Sequence, residues 1–410
     1  MLEQAFYDDL DARLVAADDR IARAGTGEPW TRQPVHTVYV PADQDIADVV
    51  PRWGAQATAV LAEHAGGVEA TADAFGIRVQ PDVFARVVAK LEAEPIEDLR
   101  VDFEDGYGSP GDVEEDAAAE AAAAALGDAV EAGVSPPFLG LRCKGMDPVT
   151  RRRGLRTVDV FLGALLDRSE LPAGFVITLP KVVAVEHVAA FAGVLNALEQ
   201  AAGLPAGRLR FEVQVETPQA VLSQQGTVAL PAIVSAADGR CVGLHFGTYD
   251  YGAALDLPVV AQSLAHPASD LAKGLMQLAV AGSGVKLSDG SSNVLPVGDG
   301  AAIRAAWRNH AQLIRRSLER GFYQGWDMHP HQLPSRFLAT FGYFAEAFPV
   351  VAGRLAAHIE QEATATLDEP ATARSLARFL LRGLDCGALD QIDVTAASTL
   401  DRAGLLRLAG

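Results

Sequence analysis

Eight short apolar or β-branched segments alternate with longer helical segments along most of the chain, and this alternation restricts the fold more than any other feature. In chain order the eight segments are 36–42, 99–106, 138–144, 174–182, 208–216, 240–250, 283–290 and 321–330. Six of the seven intervals between their starts span about 32 to 43 residues, which suits one strand, one helix and two loops. Eight such units predict an α/β fold of the closed (β/α)8 TIM-barrel class.

Three regions depart from this regular alternation. The first interval is about 63 residues long and holds two helical patterns, at 46–64 and 81–94, which predicts an expanded first crossover. We therefore predict a helical lead-in at 1–34, a catalytic barrel at 35–345 and a C-terminal helical appendage at 346–410. Amphipathic stretches within the appendage, at 373–384 and 400–408, predict a homo-oligomer in which this segment packs on a neighbouring subunit.

Charge and cysteine content narrow the classes of partner. The chain has 34 basic and 53 acidic residues, and a net charge of −19 disfavours nucleic acid and anionic membranes as partners. Its three cysteines are far apart, and its N-terminus lacks the apolar run of a signal peptide. These features predict a cytoplasmic protein that binds a small molecule and neither nucleic acid nor a membrane.

Polar side chains occupy one face of several predicted strands. Because side chains alternate along a strand, the apolar residues face the helices and the polar ones face the barrel axis. The predicted inward-facing residues are Asp102, Glu104, Arg142, Lys144, Glu212, Gln214, Glu216 and His245. Buried charges are unfavourable unless they are paired or bind a metal. A structural network joining Arg142 to Asp102 and Glu104 is one interpretation, but active sites of barrel enzymes lie at the carboxyl ends of the strands, which favours a site.

Two carboxylates lie at the carboxyl ends of neighbouring strands. Glu216 ends the fifth predicted strand and Asp250 follows the sixth. Without a thiolate or histidine cluster, two carboxylates suit a hard divalent cation, Mg²⁺ or Mn²⁺, completed by water and substrate oxygens. The alternative is a helix cap, since Thr217 before Pro218 is a good cap by itself. The pair taken together favours the metal site.

Seven short motifs occur in one order between about residues 35 and 335. They are VYVPADQ at 38–44, VDFEDGYG at 101–108, LRCKGMD at 141–147, TLPKV at 178–182, VETP at 215–218, FGTYDYGAAL at 246–255 and HP at 329–330. In this order they resemble the citrate lyase β-subunit and HpcH/HpaI aldolase superfamily. The resemblance implies metal-binding carboxylates at Glu216 and Asp250, and catalytic or supporting residues at Arg142, Glu104, Asp105 and Lys181.

The same resemblance implies a magnesium-dependent carbon–carbon lyase or aldolase. The reaction would pass through an enolate stabilised by the metal and by Arg142, and the substrate would be a 2-oxo acid or an acyl-CoA adduct. Gly247 and Thr248 are candidate substrate-binding residues. The sequence nominates no single base, and His245, Asp289, His329 and a metal-bound water are all candidates.

An arginine cluster at 151–153 and 156 bears on the question of a CoA substrate. Arg152 and Arg153 could bind the phosphates or carboxylates of a substrate, or could be part of a solvated helix start. Two other functions stay open. One is an acyl-CoA condensing or thioester-hydrolysing enzyme of malate-synthase type, and the other is a catalytically silent barrel that binds a metabolite or a partner protein.

Overall fold

The computed structural model describes residues 2–25, 30–360 and 370–410. Eight parallel strands close into a barrel in sequential order, with the first strand paired to the eighth. The strands are β1 His36–Pro41, β2 Asp98–Asp102, β3 Phe138–Arg142, β4 Phe175–Leu179, β5 Arg210–Val215, β6 Cys241–Phe246, β7 Lys286–Ser291 and β8 Gln324–Asp327. This architecture confirms the predicted TIM barrel and all eight predicted strand segments.

Sixteen α-helices accompany the strands within the described residues. They are α1 Gln4–Gly25, α2 Val49–Ala65, α3 Val68–Phe75, α4 Pro81–Ala93, α5 Asp112–Glu131, α6 Arg151–Leu166, α7 Val185–Ala202, α8 Pro218–Val221, α9 Leu230–Ala236, α10 Thr248–Ala254, α11 Pro267–Val280, α12 Gly300–Glu319, α13 Leu333–Ile359, α14 Pro370–Cys386, α15 Gln391–Ser398 and α16 Arg402–Ala409. The expanded first crossover holds α2, α3 and α4, one helix more than the sequence predicted.

The apolar core lies between the strands and the surrounding helices. Val101, Leu141, Ile177 and Val213 come from four successive strands and are all fully buried on the helix-facing side. The β3 and β4 backbones approach closely at Gly140, where an added Cβ would lie 1.8 Å from the carbonyl oxygen of Val176. Apolar burial outside the barrel leaves the interior free for the polar side chains that the alternation predicted.

The C-terminal helices pack on their own chain. Leu376, Leu380 and Leu381 of α14 and Leu405 of α16 are buried within the single subunit. These apolar side chains already have a partner surface, because α13 and the other appendage helices cover them. A homo-oligomer stays a prediction without that support.

The predicted domain boundaries and the possibility of a membrane-spanning helix can also be compared with the structure. Helix α13 crosses the predicted boundary at residue 345, so that boundary falls inside one continuous helix. The predicted lead-in at 1–34 contains α1, and residues 26–29 of it lie outside the described residues. Within the described part of the chain, no helix is both long and apolar enough to cross a bilayer.

Candidate active site at the barrel mouth

The candidate site lies where five neighbouring strands end at the mouth of the barrel. Strand β3 ends at Arg142, and α10 carries Asp250 in its first turn, directly after β6. The loops after β2, β4 and β5 carry the remaining predicted residues, which are Glu104, Asp105, Lys181 and Glu216. The closed parallel sheet thus brings together six predicted side chains that are separated by up to about 146 positions in the sequence.

Arg142 is held on several sides by hydrogen-bond acceptors. Its Nε and Nη2 each donate to a different carboxylate oxygen of Asp102, both at 2.7 Å. Its Nη1 lies 3.3 Å from Oε1 of Gln214 and 3.3 Å from Oε2 of Glu104. Burial opposes the charge of this guanidinium, but the two carboxylates outweigh burial and raise the pKa of Arg142. The arginine is therefore a fixed, permanently charged group beneath the mouth.

Two aromatic rings complete the surroundings of this guanidinium. The guanidinium carbon of Arg142 lies 4.8 Å from the ring centre of Tyr39 and 5.4 Å from that of Trp326. These distances are within the range of cation–π attraction. The rings come from the neighbouring strands β1 and β8, and their centres lie 4.6 Å apart.

Lys181 lies among four carboxylates at the centre of the mouth. Its Nζ is 2.7 Å from Oδ2 of Asp250, 2.9 Å from Oδ2 of Asp105, 3.6 Å from Oε2 of Glu216 and 3.7 Å from Oε1 of Glu104. Burial acts against the ammonium, but the surrounding negative charges raise the pKa of Lys181 above its ordinary value. One ammonium therefore faces four carboxyl groups.

Glu216 is completely buried and strongly restrained. Its Oε1 accepts a 2.7 Å hydrogen bond from the backbone N–H of Lys181, and its Oε2 accepts one of 2.7 Å from Nε2 of Gln214. Burial raises the pKa of Glu216 to about 8; Lys181 opposes this rise and Asp250 adds to it. Gly247 permits this arrangement, since an added Cβ would lie 2.4 Å from Cβ of Glu216.

The two acids after β2 have separate partners. Glu104 contacts Arg142, whereas Asp105 turns towards Lys181. Burial raises the pKa of Glu104 to about 7, against the opposing charges of Arg142 and Lys181. For Asp105, the hydrogen bond from Lys181 outweighs burial and lowers the pKa. The sequence had assigned both acids to the support of Arg142, but Asp102 provides the main support.

The donor set at the mouth suits a hard divalent cation. Glu216 and Asp250 both present oxygens to the same ammonium of Lys181, so one small cation could reach both carboxylates. Among the described residues, no group of three or more His, Cys, Asp or Glu side chains is arranged to hold a metal. The protein would therefore supply two carboxylates, with water and substrate oxygens as the remaining ligands.

Two residues that the sequence placed near the site face the helices instead. Lys144 lies beyond the end of β3 and pairs with Glu115 of α5 at 2.7 Å, so its predicted inward orientation is wrong. Asp289 pairs with Lys273 of α11 at 2.9 Å and accepts a 2.6 Å hydrogen bond from Ser317 of α12. Its contacts lie outside the barrel, which argues against Asp289 as a base.

The two candidate histidines make contacts with groups other than Arg142 and Lys181. Nε2 of His245 is 2.9 Å from Oε2 of Glu212, deeper in the barrel. His245 also lines a cavity of about 180 Å³ that includes Arg32 and Gln33, from the segment before β1. That cavity lies at the opposite end of the barrel. His329 follows β8, and burial together with His331 lowers its pKa to about 4.

The predicted substrate-binding residues have mostly structural contacts. The hydroxyl of Thr248 donates to the carbonyl oxygen of Ser291 at 3.3 Å. Arg153 pairs with acids of α5, among them Asp116 and Glu115. Arg152 is exposed at the start of α6. Arg153 is therefore part of the helix start, one of the two interpretations offered by the sequence. Of the two arginines, only Arg152 has an exposed side chain.

Sequence comparison places nearly the whole chain in one family. Residues 14–409 match the family described as "Domain of unknown function (DUF6986)". The chain belongs to the DUF6986 family. No curated protein matches this DUF6986 chain.

Malate synthase and CitE are among the solved structures with a similar fold. Malate synthase of Haloferax volcanii in its magnesium/glyoxylate complex covers 92% of the DUF6986 chain and 97% of its own, at 14% identity and a TM-score of 0.51. Its lead(II) complex covers 88% of both chains, also at 14% identity and 0.51. CitE of Mycobacterium tuberculosis, in complex with magnesium, acetoacetate and coenzyme A, covers 87% and 99% at 18% identity and 0.49. At these levels of sequence identity, the similarity shows a shared fold and nothing more.

Four site residues of the DUF6986 chain lie outside the set that the sequence nominated. They are Tyr39, Asp102, Gln214 and Trp326, all of which contact Arg142. The inward face of their strands was a usable signal for Asp102 and Gln214. The two aromatic residues had no such signal, because aromatic side chains in strands are usual on either face.

Proposed function

We propose that this protein is a magnesium-dependent carbon–carbon lyase or aldolase that acts on carboxylate substrates. The observation that carries the proposal is the meeting of Glu216 and Asp250 at the ammonium of Lys181 in the barrel mouth. Glu216 is fully buried, with a pKa raised to about 8. Both Glu216 and Asp250 contact the ammonium of Lys181. A divalent cation would compensate both carboxylates, the buried one of Glu216 and the half-exposed one of Asp250.

The metal ligands and Arg142 would each have a separate role in enolate chemistry. Mg²⁺, when bound to Glu216 and Asp250, would act as a Lewis acid towards a substrate carbonyl. Arg142 lies close by with its orientation fixed by Asp102, and it would stabilise negative charge on an enolate or carboxylate oxygen. Because the guanidinium is already oriented, it needs little reorganisation during the reaction.

Glu104 is the residue that we propose for proton transfer. Burial raises its pKa to about 7, close to neutrality, where a general base is most effective. It also contacts Arg142 at 3.3 Å, within the same group of side chains. His245 and Asp289 lack this position, because their contacts lie deeper in the barrel and among the helices.

A short 2-oxo acid or hydroxy-oxo acid fits the observed charges better than a CoA thioester. The pairing of Arg153 with α5 leaves that side chain unavailable for a nucleotide phosphate. The malate synthase of similar fold was solved with glyoxylate and also with pyruvate and acetyl-CoA, so its ligands include both substrate classes. We therefore propose a plain aldolase, with an acyl-CoA substrate as the alternative to be assayed.

Thermal unfolding with Mg²⁺ tests the metal site directly. A ligand that binds only the folded state stabilises it by about 2.7 kcal/mol at a concentration near 100 times its Kd. We expect Mg²⁺ to raise the melting temperature of the native protein, and Glu216→Gln and Asp250→Asn to lose this effect. Asp159→Asn, at an exposed acid of α6, serves as the matched control. An equal Mg²⁺ effect in all four proteins would reject the metal site.

Activity is then measured on two panels of substrates. Hydroxy-oxo acids are tested for retro-aldol cleavage with Mg²⁺ or Mn²⁺, and acetyl-CoA with glyoxylate is tested for release of free CoA. We expect cleavage in the first panel, with loss in Glu216→Gln. CoA release without retro-aldol activity would favour the malate-synthase type of reaction. No turnover in either panel, with Mg²⁺ bound, would favour a barrel that only binds its ligand.

A further inference from the structure

The backbone of Lys181 has an unusual conformation for a side chain of its size. Its φ angle is 53°, in the left-handed region that residues other than glycine rarely adopt. This conformation directs the backbone N–H to Oε1 of Glu216 at 2.7 Å. On the other side Lys181 packs closely on Gly145, where an added Cβ would lie 3.3 Å from Cβ of Lys181. The surrounding contacts hold the residue in place, as expected for strain at a functional site.

The side chain of Lys181 lies where a metal would have to bind. Its ammonium contacts Asp250 at 2.7 Å and Glu216 at 3.6 Å, the two carboxylates proposed as metal ligands. Magnesium needs its oxygen ligands at about 2.0–2.1 Å in a nearly regular octahedron. An ammonium in contact with the same oxygens competes with such an ion through both space and charge.

We propose that Lys181 is an internal counter-ion that Mg²⁺ displaces when it binds Glu216 and Asp250. The inference rests on the proposed metal site and adds a regulation of that site. The backbone N–H would stay on Glu216, while the flexible four-carbon stem, which is 29% exposed, would carry the ammonium towards solvent. Asp105, on the solvent side at 59% exposure, would remain as a partner for the displaced ammonium.

This arrangement has two opposite consequences for the protein. Without metal, Lys181 offsets repulsion among four carboxylates and stabilises the fold. With metal, the same contacts must be broken, which weakens apparent Mg²⁺ affinity. A purely structural lysine would have only the first effect, because its contacts would persist in both states. Metal affinity therefore separates the two roles.

Isothermal titration with MgCl₂ on the full chain provides the test. Lys181→Met keeps the length of the side chain without its charge, and we expect Mg²⁺ to bind up to about fivefold more tightly, as loss of one partly solvated competing ion pair implies. The metal-free melting temperature should fall, and its rise with Mg²⁺ should exceed that of the native protein. Lys181→Arg should behave like the native protein. Arg152→Met, at an exposed site, controls for the loss of one positive charge.

Chemical labelling of the native protein gives an independent measurement if Lys181→Met does not fold. The chain has five lysines, and Lys286 lies at the opposite end of the barrel beside Trp30. We expect Mg²⁺ to accelerate acetylation of Lys181 by acetic anhydride, detected by peptide mass spectrometry, and to leave Lys286 unchanged. Equal labelling and equal Mg²⁺ affinity would overturn the inference while leaving the metal site intact. An absence of Mg²⁺ binding in every variant would instead reject the metal site itself.

Discussion

Replacement of Asp102 is the most direct test of how Arg142 and the loop after β2 are held in place. Its two carboxylate oxygens accept four hydrogen bonds. One oxygen accepts from Nε of Arg142 at 2.7 Å and from the backbone N–H of Glu104 at 3.0 Å. The other accepts from Nη2 of Arg142 at 2.7 Å and from the backbone N–H of Gly106 at 3.0 Å. Asp102 thus fixes both the arginine and the loop that carries Glu104.

The Asp102→Asn variant keeps the volume of the side chain but replaces one acceptor oxygen by an NH₂ group. Whichever way the amide turns, two of the four donors lose their acceptor and face another N–H. Arg142 also loses its closest buried counter-ion and keeps only Glu104 at 3.3 Å, and removal of one partner costs about 3–5 kcal/mol in comparable buried pairs. For a chain of 410 residues this free energy corresponds to a fall in melting temperature of about 4–6 °C.

Differential scanning calorimetry at low ionic strength measures this fall. Asp105→Asn is the matched control, since Asp105 follows the same strand but is 59% exposed and pairs only with Lys181 among the basic residues described. A pair of that kind contributes about 0–1 kcal/mol. If Asp102→Asn melts within about 1 °C of Asp105→Asn, Asp102 does not hold Arg142 in the way described.

Three further predictions follow from single groups. Arg142→Lys keeps the charge but loses the planar guanidinium, which can donate two parallel hydrogen bonds to one carboxylate. We expect turnover in the retro-aldol assay to fall about a hundredfold or more without loss of folding. Burial would raise the pKa of Glu199, but Arg240 and two backbone N–H groups lower it to about 2. Because that pKa lies below its ordinary value of 4.5, the stabilisation is complete above pH 4.5 and is lost as the pH falls towards 2. Glu199→Gln should therefore flatten the dependence of the urea midpoint on pH in that interval. Burial raises the pKa of each cysteine thiol to about 12, so the folded protein should not react with Ellman's reagent at neutral pH, whereas the unfolded protein should expose three reactive thiols, Cys143, Cys241 and Cys386.

The sequence was sufficient for the barrel because two regular signals agreed. The spacing of strand segments matched one βα unit, and the alternation of side chains within each segment divided helix-facing from inward-facing positions. Val101 and Val213 are buried under the helices, and Asp102 and Gln214 point into the barrel, as this alternation requires. Both signals are local properties of the chain, so no knowledge of distant contacts was needed.

The same alternation failed where a strand ended earlier than predicted. Strand β3 stops at Arg142, and the backbone then turns, so Lys144 pairs with Glu115 outside the barrel. Asp289 lies within β7, but the register between β7 and β8 shifts in this region, and its side chain pairs with Lys273. Strand ends and register shifts depend on packing with other elements, and the alternation of side chains along a strand cannot predict them.

Charge balance distinguishes the candidate site from the structural networks elsewhere in the barrel. Deeper in the interior, Asp98 and Glu212 both pair with Arg100, and Glu212 also contacts His245, so two acids there share one arginine and one histidine. At the mouth, four carboxyl groups lie around the single ammonium of Lys181, and one of them, Glu104, also contacts Arg142. Bringing these acids together is unfavourable, and burial raises the pKa of Glu104 and of Glu216. A barrel selected for stability alone would gain by replacing one of these acids with a neutral residue. The cluster of acids is therefore the physical reason to expect a cation at the mouth, and the Mg²⁺-binding measurements on Lys181→Met and Glu216→Gln test that expectation directly.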